Sequence, residues 1–235
     1  MTMHNITILN GNIFNTKAQT VVNTVNCVGV MGKGIALVFK LRYPLMFDLY
    51  KQYCEAHLIS IGKLWLYKGV EGAPWVLNFP TKTHWKLPSE YDYIRQGLQK
   101  FIETYKEKGI TSVAFPLLGA SNGGLDKDVV MEIMIDYLRR CDIPVEIYQY
   151  DPSASDDLFE LFKSNWMRIS FEHKKKLLKT NKRIEIIETA VTSEQVNSMI
   201  GLINYPGIGI KSMESCFDFV MNRNEEPNLF GNVDS

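Results

Sequence analysis

Over its first 150 residues this chain alternates short β-branched runs with segments of helical period, and that alternation restricts its fold more than any other feature. Ile6–Leu9, Val21–Val25, Lys63–Tyr67, Trp75–Phe79, Ser112–Phe115 and Val145–Tyr150 read as strands. Between them Ile35–Leu41, Leu45–Ala56, Glu90–Lys108 and Asp126–Arg140 read as helices. Pro44 suits the first turn of the second helix. In the third, Ile94, Leu98, Phe101, Ile102 and Tyr105 recur at three-and-four spacing and Gly109 closes the run. Such a chain folds as an α/β layered sheet with helices on both faces.

Near Asp151-Pro-Ser-Ala-Ser-Asp-Asp157 the composition turns small and polar, which divides the chain into 1–150 and a mainly helical 151–235. Helices are expected at about 157–180, 193–203 and 210–222, with Thr192-Ser-Glu-Gln195 at capping-box spacing. From Arg223 the chain reads as a frayed end. Charge is segregated beneath a net value of zero: residues 163–183 carry eight Lys and Arg against one acid, Glu172, and 184–235 carry two basic against eight acidic side chains. That pattern suits charged partners at more than one surface, and equally a solvated basic helix beside an acidic tail.

The apolar runs are strand-sized, so no membrane span is expected. Met1-Thr2-Met3-His4-Asn5 lacks the layout of a signal peptide. Cys27, Cys54, Cys141 and Cys216 are widely spaced without a CxxC pair, which argues against a metal site or disulfide framework and for a reducing cytoplasm.

Three glycine-bearing loops follow expected strands: Gly11-Asn12-Ile13, the stretch from Asn23 through Asn26, Gly32, Lys33 and Gly34 to Ile35, and Gly119-Ala120-Ser121-Asn122-Gly123-Gly124-Leu125. Glycines at a strand-to-helix junction let backbone amides approach an anion, and the helix N-terminus adds a favourable partial charge. Ligands of open α/β sheets bind beyond the carboxyl ends of the strands, so two such loops can grip a pyrophosphate from both sides. Neither a P-loop nor a GxGxxG fingerprint is present. Turn geometry for the glycines and Asx-turns for the asparagines are the plainer readings.

The strings VNTVNCVGVMGKGIALVFK, NFPTKTHWKLPSEYDYI and PLLGASNGGL resemble the macrodomain family, whose members bind ADP-ribose. The resemblance spans residues 5–150 and is strongest to the branch that serves as antitoxin to DarT-like ADP-ribosyltransferase toxins. It implies a macrodomain-type mixed sheet and a DNA ADP-ribosyl glycohydrolase that releases ADP-ribose from thymidine in single-stranded DNA. The implied partners are ADP-ribosylated single strands and a cognate DarT-like toxin, with no cofactor. Related branches hydrolyse protein-linked ADP-ribose or ADP-ribose 1″-phosphate, and others bind ADP-ribose without turnover.

Carried onto this sequence, the resemblance puts Gly11, Asn12 and Ile13 at the adenine end and Asn23 and Asn26 on the distal ribose. Gly32, Lys33, Gly34 and Ile35 line that ribose and the pyrophosphate, Thr81 lies beside them, and Gly119 to Leu125 form the opposing phosphate loop. Lys82 is the expected catalytic residue, placed away from the phosphate loops, with a pKa that a nearby Lys33 would depress. It can act as a nucleophilic amine or as an ammonium donor. His84 and Asp126 are secondary catalytic candidates, against a loop-capping histidine and a helix N-cap. Trp85 can stack on a base or pack at the rim. Cys27 reads as a small packing residue. Finally, Pro206-Gly207-Ile208-Gly209 with Lys211 resembles the hairpin of helix-hairpin-helix modules, or else is a tight helix–helix turn.

Overall fold

The computed structural model describes residues 5–69 and 72–221. The expected frayed end from Arg223 and most of the N-terminal segment lie outside the described residues. The chain divides into two compact units, Met1–Ala154 and Ser155–Ser235.

The first unit holds a six-stranded sheet in the order β1-β6-β5-β2-β4-β3. The strands are β1 (Ile6–Gly11), β2 (Thr20–Asn26), β3 (Trp65–Tyr67), β4 (Trp75–Lys82), β5 (Val113–Pro116) and β6 (Val145–Tyr150). All neighbours pair in parallel except β3, which runs antiparallel to β4. The sheet is therefore mixed, as the resemblance implies. Between the strands come α1 (Gly34–Arg42), α2 (Pro44–Glu55), α3 (Tyr91–Thr104) and α4 (Lys127–Leu138).

Strand alternation assigns the two faces. Val22, Leu77, Phe79, Val113, Phe115 and Ile147 point to one side, where Ile94, Leu98 and Phe101 of α3 and Val130 and Met134 of α4 cover them. Val21, Val25, Val76, Ala114 and Tyr148 point to the other, under Phe39 of α1 and Met46 and Tyr50 of α2. Helix α3 approaches closely because residue 97 is glycine: a Cβ there would stand 2.1 Å from the Phe79 ring.

Two departures from the expected strands bear on the site. β3 is only three residues long and pairs with Val76–Asn78 alone. Beyond Asn78 the outer side of β4 is therefore unpaired, so Pro80, which has no N–H to offer, can sit in the strand. β4 accordingly runs past Phe79 to Lys82. In its register with β2, Val25 faces Pro80 but Asn26 faces Lys82, so Thr81 is an extra residue on β4. Such a bulge re-aims the side chain that follows it, and here that side chain is Lys82.

The second unit is helical: α5 (Phe159–Arg168), α6 (Phe171–Leu178), α7 (Asn181–Thr192), α8 (Met199–Ile203) and α9 (Ile210–Val220). Trp166, Phe162, Ile184, Ile187, Met199, Leu202 and Phe217 are fully or almost fully buried there. The expected single helix over 157–180 is instead two, because the Ser170 hydroxyl caps α6 by accepting from the His173 amide. Helix α7 fills a stretch for which no helix was expected. Thr192 starts no helix; its hydroxyl donates back to the Glu188 carbonyl, and Ser198 caps α8 instead. Lys174 turns inward and meets Glu188 at 2.9 Å over the Trp166 ring. Arg168, Lys175, Lys176, Lys179, Lys182 and Arg183 remain exposed.

Candidate active site

Because β2, β4 and β5 are parallel, their carboxyl ends emerge at one edge and bring the loops after them together. Asn26, at the end of β2, organises the first of these loops. Its side-chain oxygen accepts from the Val28 and Val30 amides, its amide donates to the Val30 carbonyl, and Tyr50 donates to its backbone carbonyl at 2.6 Å. Gly32 and Lys33 follow, exposed, and Ile35 is half-buried. Lys33 is the cap of α1 and has no side-chain capping bond of its own.

Four residues expected to contact the ligand, Asn23, Asn12, Ile13 and Thr81, are buried in the protein. Asn23 does not face the cleft: it is fully buried among the residues under α1 and α2, and its amide donates to Asn78 at 3.0 Å. One step along a strand reverses the facing of a side chain, and Asn23 shares its side with Val21 and Val25. Asn12 is also buried, with its oxygen accepting from the Phe14 amide to cap a one-turn 3-10 helix, Ile13–Asn15. Ile13 and Thr81 are buried as well, Ile13 in the apolar core and Thr81 at the bulge. Gly11 stays at the edge of the sheet with open space around its Cα.

The loop after β5 folds on itself. Leu125 donates to the Gly119 carbonyl, and Gly119 has a φ of +71°, a left-handed conformation open to glycine. The Gly123 carbonyl accepts from the Ser89 amide at 3.0 Å. A Cβ at Gly123 would stand 2.1 Å from the Gly119 carbonyl oxygen and 2.4 Å from the Ser89 hydroxyl. Packing against Gly119 and Ser89 by itself requires glycine at residue 123. Among the described residues no acceptor takes the amides of Ser121, Asn122 and Gly123, which leaves a short run of donors at the cleft. Ala120 lies half-buried at the base of this run, and Gly124 is exposed. The first loop touches the second at Gly34, whose φ is +56° and whose missing Cβ would meet the Asn122 amide nitrogen at 2.5 Å.

Lys82 emerges beyond the bulge, and its ammonium donates to the Asn122 carbonyl at 2.5 Å. The catalytic candidate therefore sits against the phosphate loop and not away from it. Burial lowers its pKa from the ordinary lysine value, because desolvation disfavours the charged form. Desolvation is the cause throughout; Lys33 does not enter. The Asp126 carboxylate accepts from the Asp128 and Val129 amides at 2.9 and 3.1 Å, the N-cap geometry of α4. His84 holds the turn after β4, where its Nδ1 accepts from the Lys86 amide at 3.2 Å. Burial, with Cys54 nearby, pushes the Cys27 thiol up to about 11, so it is no nucleophile near neutral pH.

Reading the sequence missed Asn78, Tyr50 and Ser89. Asn78 and Ser89 are buried polar residues, and both keep a side-chain atom without a partner in the protein. A polar residue inside an apolar strand run, as in Trp75-Val-Leu-Asn78-Phe79, was the available signal for the first. Nothing local marks Tyr50 or Ser89.

A parallel-centred sheet with a short antiparallel edge and two glycine loops closing on one strand end defines a macrodomain. The Macro domain profile matches residues 22–134, and the solved macrodomain of Mycobacterium tuberculosis DarG is 44% identical, with 61% of this chain and 96% of that one covered and a TM-score of 0.59. The chain belongs to the macrodomain family. Within it, the similarity is to DarG-type members: a curated relative from Mycobacterium tuberculosis described as a DNA ADP-ribosyl glycohydrolase is 44% identical over 61% of this chain. The chain spans 42% of that relative's length. The solved structure described as Thermosipho africanus DarTG in complex with ADP-ribose is 37% identical over 64% of this chain and 43% of that one, with a TM-score of 0.60.

Proposed function

We propose that the macrodomain unit is a DNA ADP-ribosyl glycohydrolase, which releases ADP-ribose from thymidine in single-stranded DNA and so serves as antitoxin to a DarT-like ADP-ribosyltransferase. The observation that carries this reading is a partly desolvated lysine amine, Lys82, held by the Asn122 carbonyl where the two glycine loops meet. The similarity to relatives described as DNA ADP-ribosyl glycohydrolases supports the choice of substrate.

Of the two roles open to Lys82 we take the nucleophilic one, since burial that lowers its pKa makes the neutral amine easier to reach. The neutral amine attacks the anomeric carbon of the distal ribose, the bond from that carbon to the base nitrogen breaks, and the base departs with the proton that the amine gives up. The glycosylamine at Lys82 opens to an imine, the form that borohydride reduces; water adds at the same carbon, and the lysine leaves as a free amine. The amides of Ser121–Gly123, with Gly32, Lys33, Gly34 and Ile35 opposite, hold the pyrophosphate while this happens. Asn26 shapes the ribose end, and Asp126 acts as a cap.

Single-turnover release of ADP-ribose tests the reading on three substrates: an ADP-ribosylated oligonucleotide, ADP-ribosylated glutamate and ADP-ribose 1″-phosphate. The oligonucleotide is expected to react fastest, with a borohydride-trapped adduct at Lys82. Faster turnover of either other substrate overturns the assignment in favour of the rival branches, and binding without turnover makes the protein a reader. The four cysteines are free, which suits a reducing cytoplasm, and no helix among the described residues is long and apolar enough to cross a membrane. For the second unit, the six exposed cations between Arg168 and Arg183 support an accessory surface. Docking of the toxin is the reading we favour, since the acidic side chains after residue 184 would repel a DNA strand.

A further inference from the structure

We infer that the turn after β4 is a nucleobase platform, on which Trp85 stacks the base next to the ADP-ribosylated nucleotide. This rests on the proposed DNA substrate and adds how a strand, as opposed to a single nucleotide, is selected.

Trp85 stands three residues beyond Lys82 and is 49% exposed, although an indole is among the side chains that gain most from burial. About half of its surface is left open. The exposed face is held in place, not left to swing. The His84 ring stacks on the indole at 5.7 Å, and the Lys86 ammonium lies 5.0 Å from the ring centroid. The turn itself is tied by Leu87 donating to the His84 carbonyl and Lys86 donating to the His84 ring. Both of its ends are anchored to the ligand loops. The Thr83 carbonyl accepts from the Cys27 amide, and the Ser89 amide donates to the Gly123 carbonyl. A base that lands on this indole therefore meets a ring carried on a turn braced by the ligand loops.

The electrostatics select the occupant. From Thr81 to Ser89 the chain carries Lys82 and Lys86 and no carboxylate, and Glu90 is engaged by the Tyr93 hydroxyl at 2.7 Å. An aromatic face beside a cation, Lys86, fits a polyanion that carries flat rings, which is a single nucleic-acid strand. Three residues beyond Lys82 in the chain and outside its contact with Asn122, the exposed ring is the one we assign to the base that flanks the modified nucleotide.

The test compares ADP-ribose release from an ADP-ribosylated single strand of about ten nucleotides with release from ADP-ribosylated thymidine monophosphate. Base–aromatic stacking contributes about 1–3 kcal/mol, or roughly 5- to 150-fold. Trp85→Ala is expected to raise KM for the strand at least tenfold more than KM for the mononucleotide, and Trp85→Phe to recover most of the loss. An equal effect on both substrates puts the ring under the modified base and overturns the inference, as does a strand KM at the wild-type level. Anisotropy with an unmodified labelled strand gives a second readout: Trp85→Ala should weaken binding and Trp85→Phe restore it. If the wild type binds the strand through Trp85 but releases no ADP-ribose from it, the glycohydrolase reading fails and this one stands. If the wild type binds no strand, the platform fails.

Discussion

Gly34→Ala separates backbone strain from loop contact at the cleft. Gly34 has a φ of +56°, and an L side chain in that left-handed region costs about 1–2 kcal/mol wherever it points. Its new Cβ would also stand 2.5 Å from the Asn122 amide nitrogen, the free end of a flexible and exposed side chain. That clash is relieved by rotating Asn122, which disturbs the loop whose carbonyl holds Lys82. Urea unfolding should show a stability loss of about 1–2 kcal/mol, and calorimetry an ADP-ribose affinity lower by roughly tenfold, about 1.4 kcal/mol. Adding Asn122→Ala removes the clash but not the strained φ, so the double variant should regain affinity and not stability. If the double variant regains stability instead, or the single variant binds at wild-type affinity, the account of the meeting loops is wrong. At Gly123 no such rescue exists, because the obstructing atom is the Gly119 carbonyl oxygen.

Lys82→Met should slow single-turnover release at least a hundredfold, roughly what loss of a positioned reactive group costs, with ADP-ribose affinity largely kept. In the wild type the rate should rise with pH, as the amine deprotonates, and level off below the ordinary lysine value of 10.5. The sign for stability follows from the same shift. The folded protein holds this proton less tightly, so the buried charge costs stability below the folded pKa, and the cost disappears as pH rises past the unfolded one. Asp126→Ala should lower stability by about 1 kcal/mol while Asp126→Asn keeps both cap and activity; an inactive, stable Asp126→Asn makes the carboxylate catalytic after all. Truncation after Ala154, which keeps the Asp151 amide on the Gly11 carbonyl, should leave ADP-ribose binding intact. Loss of toxin co-purification with unchanged strand affinity would support docking by the second unit, whereas a shallower salt dependence of strand binding would assign its basic surface to DNA.

The sequence by itself determined the layered architecture, because period-two and period-3.6 patterns are local. The strands around Val21–Val25 and Val145–Tyr150, the Pro44 start of α2 and the Asp126 cap of α4 were all legible for that reason. It also marked the three glycine loops, and the family resemblance singled out Lys82. The tertiary structure decided which of those residues reach the cleft. Asn23 and Asn26 look equivalent three residues apart, yet the first faces the core under α1 and α2 and meets Asn78, while the second shapes the loop. The expected strand ended at Phe79; only the shortness of β3, which leaves that side of β4 unpaired, lets it continue through Pro80 and a bulge to aim Lys82. The hold of Asn122 on that lysine joins residues forty positions apart, and so does the desolvation that lowers its pKa depend on packing. No local pattern records such contacts, because they come into being only when parallel strands bring their carboxyl ends to one edge.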